Sequence, residues 1–254
     1  MSTNFIAFLP PPGASISSYN RALPPGEQSD EVPEIFREAM SIREEVFVHE
    51  QHVALENELD SDDARSFHWV VSASVSNTQK ETAEGRKSSE TNRVPVGTVR
   101  LVPPPHPPHP KPGSDHKIDN AEDVPLKSEG VEPTGMHDGK EPYVKLGRLA
   151  TLAPYRGLGL GRFLVNAALE WASKNRDTVM PLPDPTVREA KKMDGGTTEE
   201  EITWKGLVLV HAQISAQGMW SKLGFVRDEA MGTWDEEGIG HVGMWKRLTL
   251  PKER

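Results

Sequence analysis

The chain has 254 residues, 29 Lys plus Arg against 38 Asp plus Glu for a formal net charge of −9, and no cysteine. Without cysteine there is no disulfide framework, thiolate metal site or thiol nucleophile, and the acidic balance argues against binding to a phosphate backbone, so nucleic acid is not an expected partner. No apolar run approaches the ~20 residues that span a bilayer, and the proline-broken start at residues 10–12 is unlike a secretory signal, so no membrane and a cytoplasmic or nuclear location are expected.

In chain order, residues 1–30 hold five prolines and read as an N-terminal extension that adds nothing to a core. Residues 31–254 read as a single domain interrupted by insertions at about 76–95, 103–142 and 176–204. With these removed, roughly 135 residues remain, enough for one ordinary core. Ile35, Ala39, Ile42 and Val46 form an apolar stripe that predicts a helix over 33–49, opening at Pro33. From Glu27 to Asp63 the chain carries thirteen acidic residues, which would draw and orient a cationic amine even though most such runs are only a solvated face. Residues 67–75 and 94–102 are rich in β-branched and aromatic side chains and predict two antiparallel strands around a polar loop.

The segment 103–142 has ten of the 22 prolines and only six Ala, Val, Leu, Ile or Met. That is too few to offset the entropy of ordering it, so it is expected to start as a polyproline spacer, with docking on a partner as the other use. His106 and His109 alone are a weak metal signal, and no metal site is expected. A third strand follows over 143–152. Leu160, Phe163, Leu164, Ala167, Ala168, Trp171 and Ala172 then define one face of a helix. A buried strand at 207–211, a helix over 212–223 closed by Gly224, and strands at 225–227 and 241–245 complete an α/β chain.

The run Arg156-Gly157-Leu158-Gly159-Leu160-Gly161-Arg162 lies between a predicted strand and a predicted helix. Alternate glycines let a ligand approach the backbone, and amides at a helix start attract anions, so the run reads as a phosphate cradle to which Arg156 and Arg162 add charge. It fits neither a dinucleotide-binding fingerprint nor a Walker A loop, whose glycine spacings differ. A turn that merely caps the helix is the plainer alternative.

Arg-x-x-Gly-x-Gly in this setting resembles the acetyl-CoA signature of the GCN5-related N-acetyltransferase (GNAT) superfamily. Gly147 to Leu152 is similar to that family's central strand, and Ala212 to Phe225 to its second cofactor-side segment. In the N-terminal half, Arg43 and Val46-Phe47-Val48-His49-Glu50-Gln51, with the acid-rich loop ending near Asp63, resemble the ElaA-like branch, as does Gly238 to Met244. The resemblance covers about 33–75, 94–102, 143–175 and 205–246. It implies an α+β fold with a mixed, largely antiparallel twisted sheet flanked by helices. It also implies acetyl transfer from acetyl-CoA to a primary amine, with CoA as product. By the same resemblance Leu149, Ala150 and Thr151 line the pantetheine arm, Arg156, Gly157, Leu158, Gly159, Leu160, Gly161 and Arg162 hold the pyrophosphate, and Gln213 and Trp220 lie on the cofactor side.

Trp220 stands where many members carry a tyrosine that protonates the thiolate, and indole cannot do so. Glu50 is the expected base and His241 the second catalytic candidate, since a histidine side chain titrates near neutrality. Phe47, Glu56, Asp60 and His68 are expected to meet the acceptor, a small-molecule or peptide amine. A partner for the proline segment and a homodimer stay open. The competing class is a noncatalytic acyl-CoA-binding or protein-interaction module on the same fold.

Overall fold

The computed structural model describes residues 5–77, 90–116, 132–181 and 203–251; the central parts of the three insertions lie outside them. Nine strands form one sheet among the described residues: β1 Phe5–Leu9, β2 Phe67–Asn77, β3 Glu90–Val102, β4 Asp115–His116, β5 Val144–Thr151, β6 Leu207–Gln213, β7 Val226–Arg227, β8 Thr233–Glu236 and β9 Ile239–Arg247. Their order is β1-β2-β3-β5-β6-β9-β8-β4, with β7 also on β9. Pairing is antiparallel except between β5 and β6 and between β4 and β8. The helices are α1 Glu34–Arg43, continued by a π-helical segment Glu44–Glu50, α2 Leu160–Lys174, the single turn α3 Arg176–Val179, and α4 Gln217–Lys222. No described helix is long and apolar enough to cross a membrane.

Side chains alternate across the strands, so the helices divide between the two faces. Phe67, Trp69, Val71, Val99, Leu101, Val144 and Leu146 bury one face under Leu160, Leu164, Val165 and Ala168 of α2. On the opposite face Val70 and Ala150 meet Ala39, Ile42 and Val46 of α1 and its π-helical continuation. Leu164 is fully buried, and truncating such a leucine to alanine costs about 2–5 kcal/mol. The predicted strands and helices at 33–49, 67–75, 94–102, 143–152 and 160–172 are all present, shifted by a few residues at their ends.

Two expectations from composition fail. Residues 5–9 of the supposed extension form β1, paired to β2 from Phe5↔Ser72 to Leu9↔His68, and Ile16, Tyr19 and Val32 are buried with Phe36 and Met40. Proline content weighed against this segment, but its short apolar run needs only an open sheet edge to pair with.

The proline segment is likewise no free spacer. His106 donates from Nε2 to the Tyr143 carbonyl at 2.9 Å and stacks on the Tyr143 ring, centroids 4.5 Å apart. His137 stacks on Trp245 at 5.1 Å, Arg65 donates to the carbonyl of Pro105 at 2.8 Å, and the Gly113 amide donates to Thr233 at 2.7 Å. In its described parts, 103–116 and 132–142, these contacts are made by imidazole rings and backbone groups rather than by aliphatic side chains. Burial keeps both histidines uncharged, pushing His106 well below its ordinary pKa and His109 to about 4.

Candidate active site

β5 and β6 are paired only at Val144↔Val208, Lys145↔Leu209 and Leu146↔Val210, then part company. Beyond that point β5 stays hydrogen-bonded to β3 alone, through a bulge in which Arg148 and Leu149 together oppose Val99. Arg148 takes φ = 50° there. The Leu152 amide donates to Val96 at 2.9 Å, so strand alternation turns the Thr151 amide and carbonyl to the open edge. The Thr151 carbonyl accepts from Arg156 Nε at 2.9 Å on that edge.

The open edge leads into the glycine loop and α2. Gly157 and Gly159 have φ of 79° and 80°, a left-handed conformation that strains other residues. Gly159 caps α2 with no side-chain hydrogen bond, and no acidic residue stands in the helix's first turn. The first-turn amides of Leu160, Gly161 and Arg162 therefore keep their donors and the positive end of the helix dipole. A Cβ built on Gly157, Gly159 or Gly161 meets nothing within 4 Å. Open space before uncommitted amides fits a pyrophosphate. Leu158 is 69% exposed beside them, and Arg162 is exposed.

A cavity of about 230 Å³ opens at the splay. Its lining includes Lys145, Leu146, Gly147, Arg148 and Leu149 of β5, His211 and Gln213 of β6, and Met219 and Trp220 of α4. Phe47 and Gln51 line it from the π-helical segment and its cap; Glu236, Glu237 and His241 do so from the β8–β9 hairpin, and Pro107 and His116 from the proline segment. Gln213 donates to Gln51 at 2.9 Å, tying β6 to the end of that π-helical segment. Trp220 is buried edge-on to Phe225, centroids 5.1 Å apart.

Three buried carboxylates of the acidic stretch, Glu58, Asp60 and Asp63, are paired within the protein. Arg43, 1% exposed, bonds Glu58 at 3.1 Å and Asp63 at 2.7 Å. Arg100 bonds Asp60 at 2.6 Å and Asp63 at 2.8 Å, and Arg148 bonds Asp60 at 3.0 Å. Burial alone would raise the carboxyl of Asp63, but Arg43 and Arg100 outweigh it and hold the group far below the usual range; Arg100 and Arg148 do the same for Asp60. Three arginines face three carboxylates, so this wall offers an incoming cation little net charge.

Several residues singled out in the sequence take positions that their neighbours in sequence did not disclose. Asp60 lines the cavity with its carboxylate occupied by two arginines. Glu56 is exposed and outside the lining. His68 is buried away from the cavity, bonded through Nε2 to the Asp63 carbonyl at 3.0 Å and edge-on to Phe36, and burial lowers its pKa to about 4. Glu50 lies outside the lining and accepts from Arg156 at 2.5 Å, which turns that guanidinium back toward the helix end. His241 lines the cavity, its Nδ1 at 2.8 Å from the Ile239 carbonyl and its Nε2 at 3.9 Å from Glu236.

Glu236, His211 and Lys145 carried no signal in the sequence, because three separate strands supply them. His211 Nδ1 and Trp234 Nε1 both donate to Glu236, at 2.8 and 2.7 Å. Burial opposes the Glu236 carboxylate, but the contact with His211 prevails and keeps it ionised. Burial, then the charge of Lys145, pushes His211 down to about 3, so its ring is a neutral donor.

A splayed strand pair ending at a glycine-capped helix is the arrangement this fold offers to an acyl donor. The sequence model of the Acetyltransferase (GNAT) family matches residues 34–182, and the chain belongs to that family. Similar solved structures include an acyl-CoA N-acyltransferase from Pseudomonas aeruginosa, at 17% identity and TM-score 0.46 over 96% of this chain and 99% of that one. Another is ElaA from Escherichia coli, at 16% identity and TM-score 0.45 over 96% of this chain and 100% of that one. No curated protein sequence matches the chain.

Proposed function

We propose that this acyltransferase uses acetyl-CoA to acetylate a primary amine, releasing CoA. The observation that carries the reading is the free edge of β5 running straight into the open amides at 160–162. When bound, acetyl-CoA supplies an activated acyl thioester. Gly157 to Arg162 would hold its pyrophosphate, and Leu149, Ala150 and Thr151 would bond its arm, with Gln213 and Trp220 across the splay. The Thr151 amide is a fixed donor on the edge where charge develops on the acyl oxygen.

His241 is the base in this scheme. With Nδ1–H donating to Ile239, Nε2 keeps its lone pair. It accepts the proton that the amine loses as the new C–N bond forms and the C–S bond breaks, and one proton must end on the departing thiolate. Glu50, bonded to Arg156 and away from the cavity, holds the loop instead.

One observation favours a noncatalytic acyl-CoA-binding module: among the described residues no tyrosine lines the cavity, and Ser61 is its only hydroxyl. Thiol release across an amine panel separates the two readings, with no background from a protein that contains no cysteine. An enzyme releases CoA above the hydrolytic rate when an amine is present; a module binds acetyl-CoA without that release. His241→Asn should lower kcat by ~10²-fold and abolish the acidic limb of kcat/KM, with Glu50→Gln near wild type. The reverse pattern would return the base to Glu50.

A further inference from the structure

Among the described residues, the cavity is lined by two arginines and one lysine: Arg100, Arg148 and Lys145. The two arginines are committed to Asp60, Asp63 and Glu58. Lys145 is different. It makes no hydrogen bond, and no ion pair within 4 Å, with any described residue. Three acids reach it by charge alone, Glu236, Asp62 and Asp60, and all three spend their hydrogen bonds elsewhere: Glu236 on His211 and Trp234, Asp62 on Arg65 at 2.7 Å, and Asp60 on Arg100 and Arg148. Burial disfavours its ammonium form and lowers its pKa, a cost that an anion bound alongside would offset. Its neighbour His211 is neutral and does not compete for that anion. The same cavity is also lined by Glu237 and His241, suited to an ammonium group and to its deprotonation.

The geometry points to Lys145 as the residue that binds a carboxylate of the acceptor, so that the acceptor is an amine that also bears an acid group, of the amino-acid class, rather than a polyamine or an arylalkylamine. This rests on the acetyl-transfer reading and adds to it the substrate class. A volume of about 230 Å³ suits a molecule of that size. Glu58, Asp60 and Asp63 of the acidic stretch, paired with arginines, hold little charge in reserve for a cationic amine.

The test uses the twenty L-amino acids, their amides and their decarboxylated amines, with thiol release and calorimetry on the acetyl-CoA-loaded protein. At least one amino acid should exceed its amide by tenfold or more in kcat/KM. Lys145→Met should raise the KM for that amino acid 10- to 100-fold and erase the preference, Lys145→Arg should restore part of it, and acetyl-CoA affinity should stay unchanged as evidence of an intact fold. Amides or decarboxylated amines preferred by the wild type would overturn the assignment, as would a loss confined to kcat in Lys145→Met, which would make Lys145 a proton acceptor. If no amine is turned over, the acetyl-transfer reading fails separately. Calorimetry then decides the subsite alone: tighter binding of an amino acid than its amide, lost in Lys145→Met, sustains it, and equal or absent binding of both ends it.

Discussion

The glycine loop at 156–162 and the acidic stretch at 56–63 both border the site, and both drew attention in the sequence for their charge chemistry. The loop presents backbone amides whose direction depends on a few local dihedrals, so its neighbours in sequence suffice to shape it. The acidic stretch presents carboxylates whose availability depends on Arg43, Arg100 and Arg148, which stand on a helix and two strands. A backbone site can be read locally; a charged wall can be read only after its partners are known.

The comparison breaks most visibly at Asp63. If its carboxylate is structural, Asp63→Asn strands parts of two buried guanidinium groups and should destabilise the fold by about 3–5 kcal/mol, measured by urea unfolding. A loss below about 1 kcal/mol would mean that the stretch is free to serve a substrate.

At the loop, Gly159→Val forces a branched side chain into φ = 80° and into the space before the amides. Acetyl-CoA should bind ~100-fold more weakly by calorimetry while the protein remains folded. Unchanged affinity in a folded variant would remove the pyrophosphate assignment.

Legibility in the sequence follows the same division. The stripe of α2, the apolar run of β6 and the glycine loop are encoded by near neighbours and are plain in the sequence. β1 was missed because its pairing depends on a strand it meets only after folding. The proline segment was missed because His106, His137 and Tyr143 do the packing that aliphatic residues usually do. Lys145, His211 and Glu236 come together across a parallel strand pair and a hairpin, so no local spacing announces them.

The buried histidines sharpen the contrast through pH. His68 and His109 sit near pKa 4 and His211 near 3 in the folded chain, against about 6.5 when unfolded. Above pH 6.5 both states are uncharged and the stability is intact. As the pH falls from 6.5 toward 4, the unfolded chain takes up protons that the native one refuses, so stability drops, by on the order of 2 kcal/mol at pH 5 for His68 alone. Urea midpoints at pH 7.5 and pH 5 measure this. The aspartates, whose folded pKa values are depressed, contribute their own loss only as the pH falls below about 4.

The smallest expected effect belongs to Glu56. Exposed and outside the cavity, its replacement by Gln should change the KM for the amine by less than about twofold, as surface charges do. A tenfold rise would restore the acidic stretch as a binding surface.

β1 also bears on the order of synthesis. Phe5–Leu9 leaves the ribosome long before its partner β2 exists, since Leu9 pairs with His68. An apolar, strand-prone segment with no partner is a template for association with other chains. Pro10, Pro11 and Pro12 follow it directly and lack the amide donors needed to lengthen a ladder, so the same prolines that disguise the strand also limit how far a stray chain could zip along it before the rest of the sheet arrives.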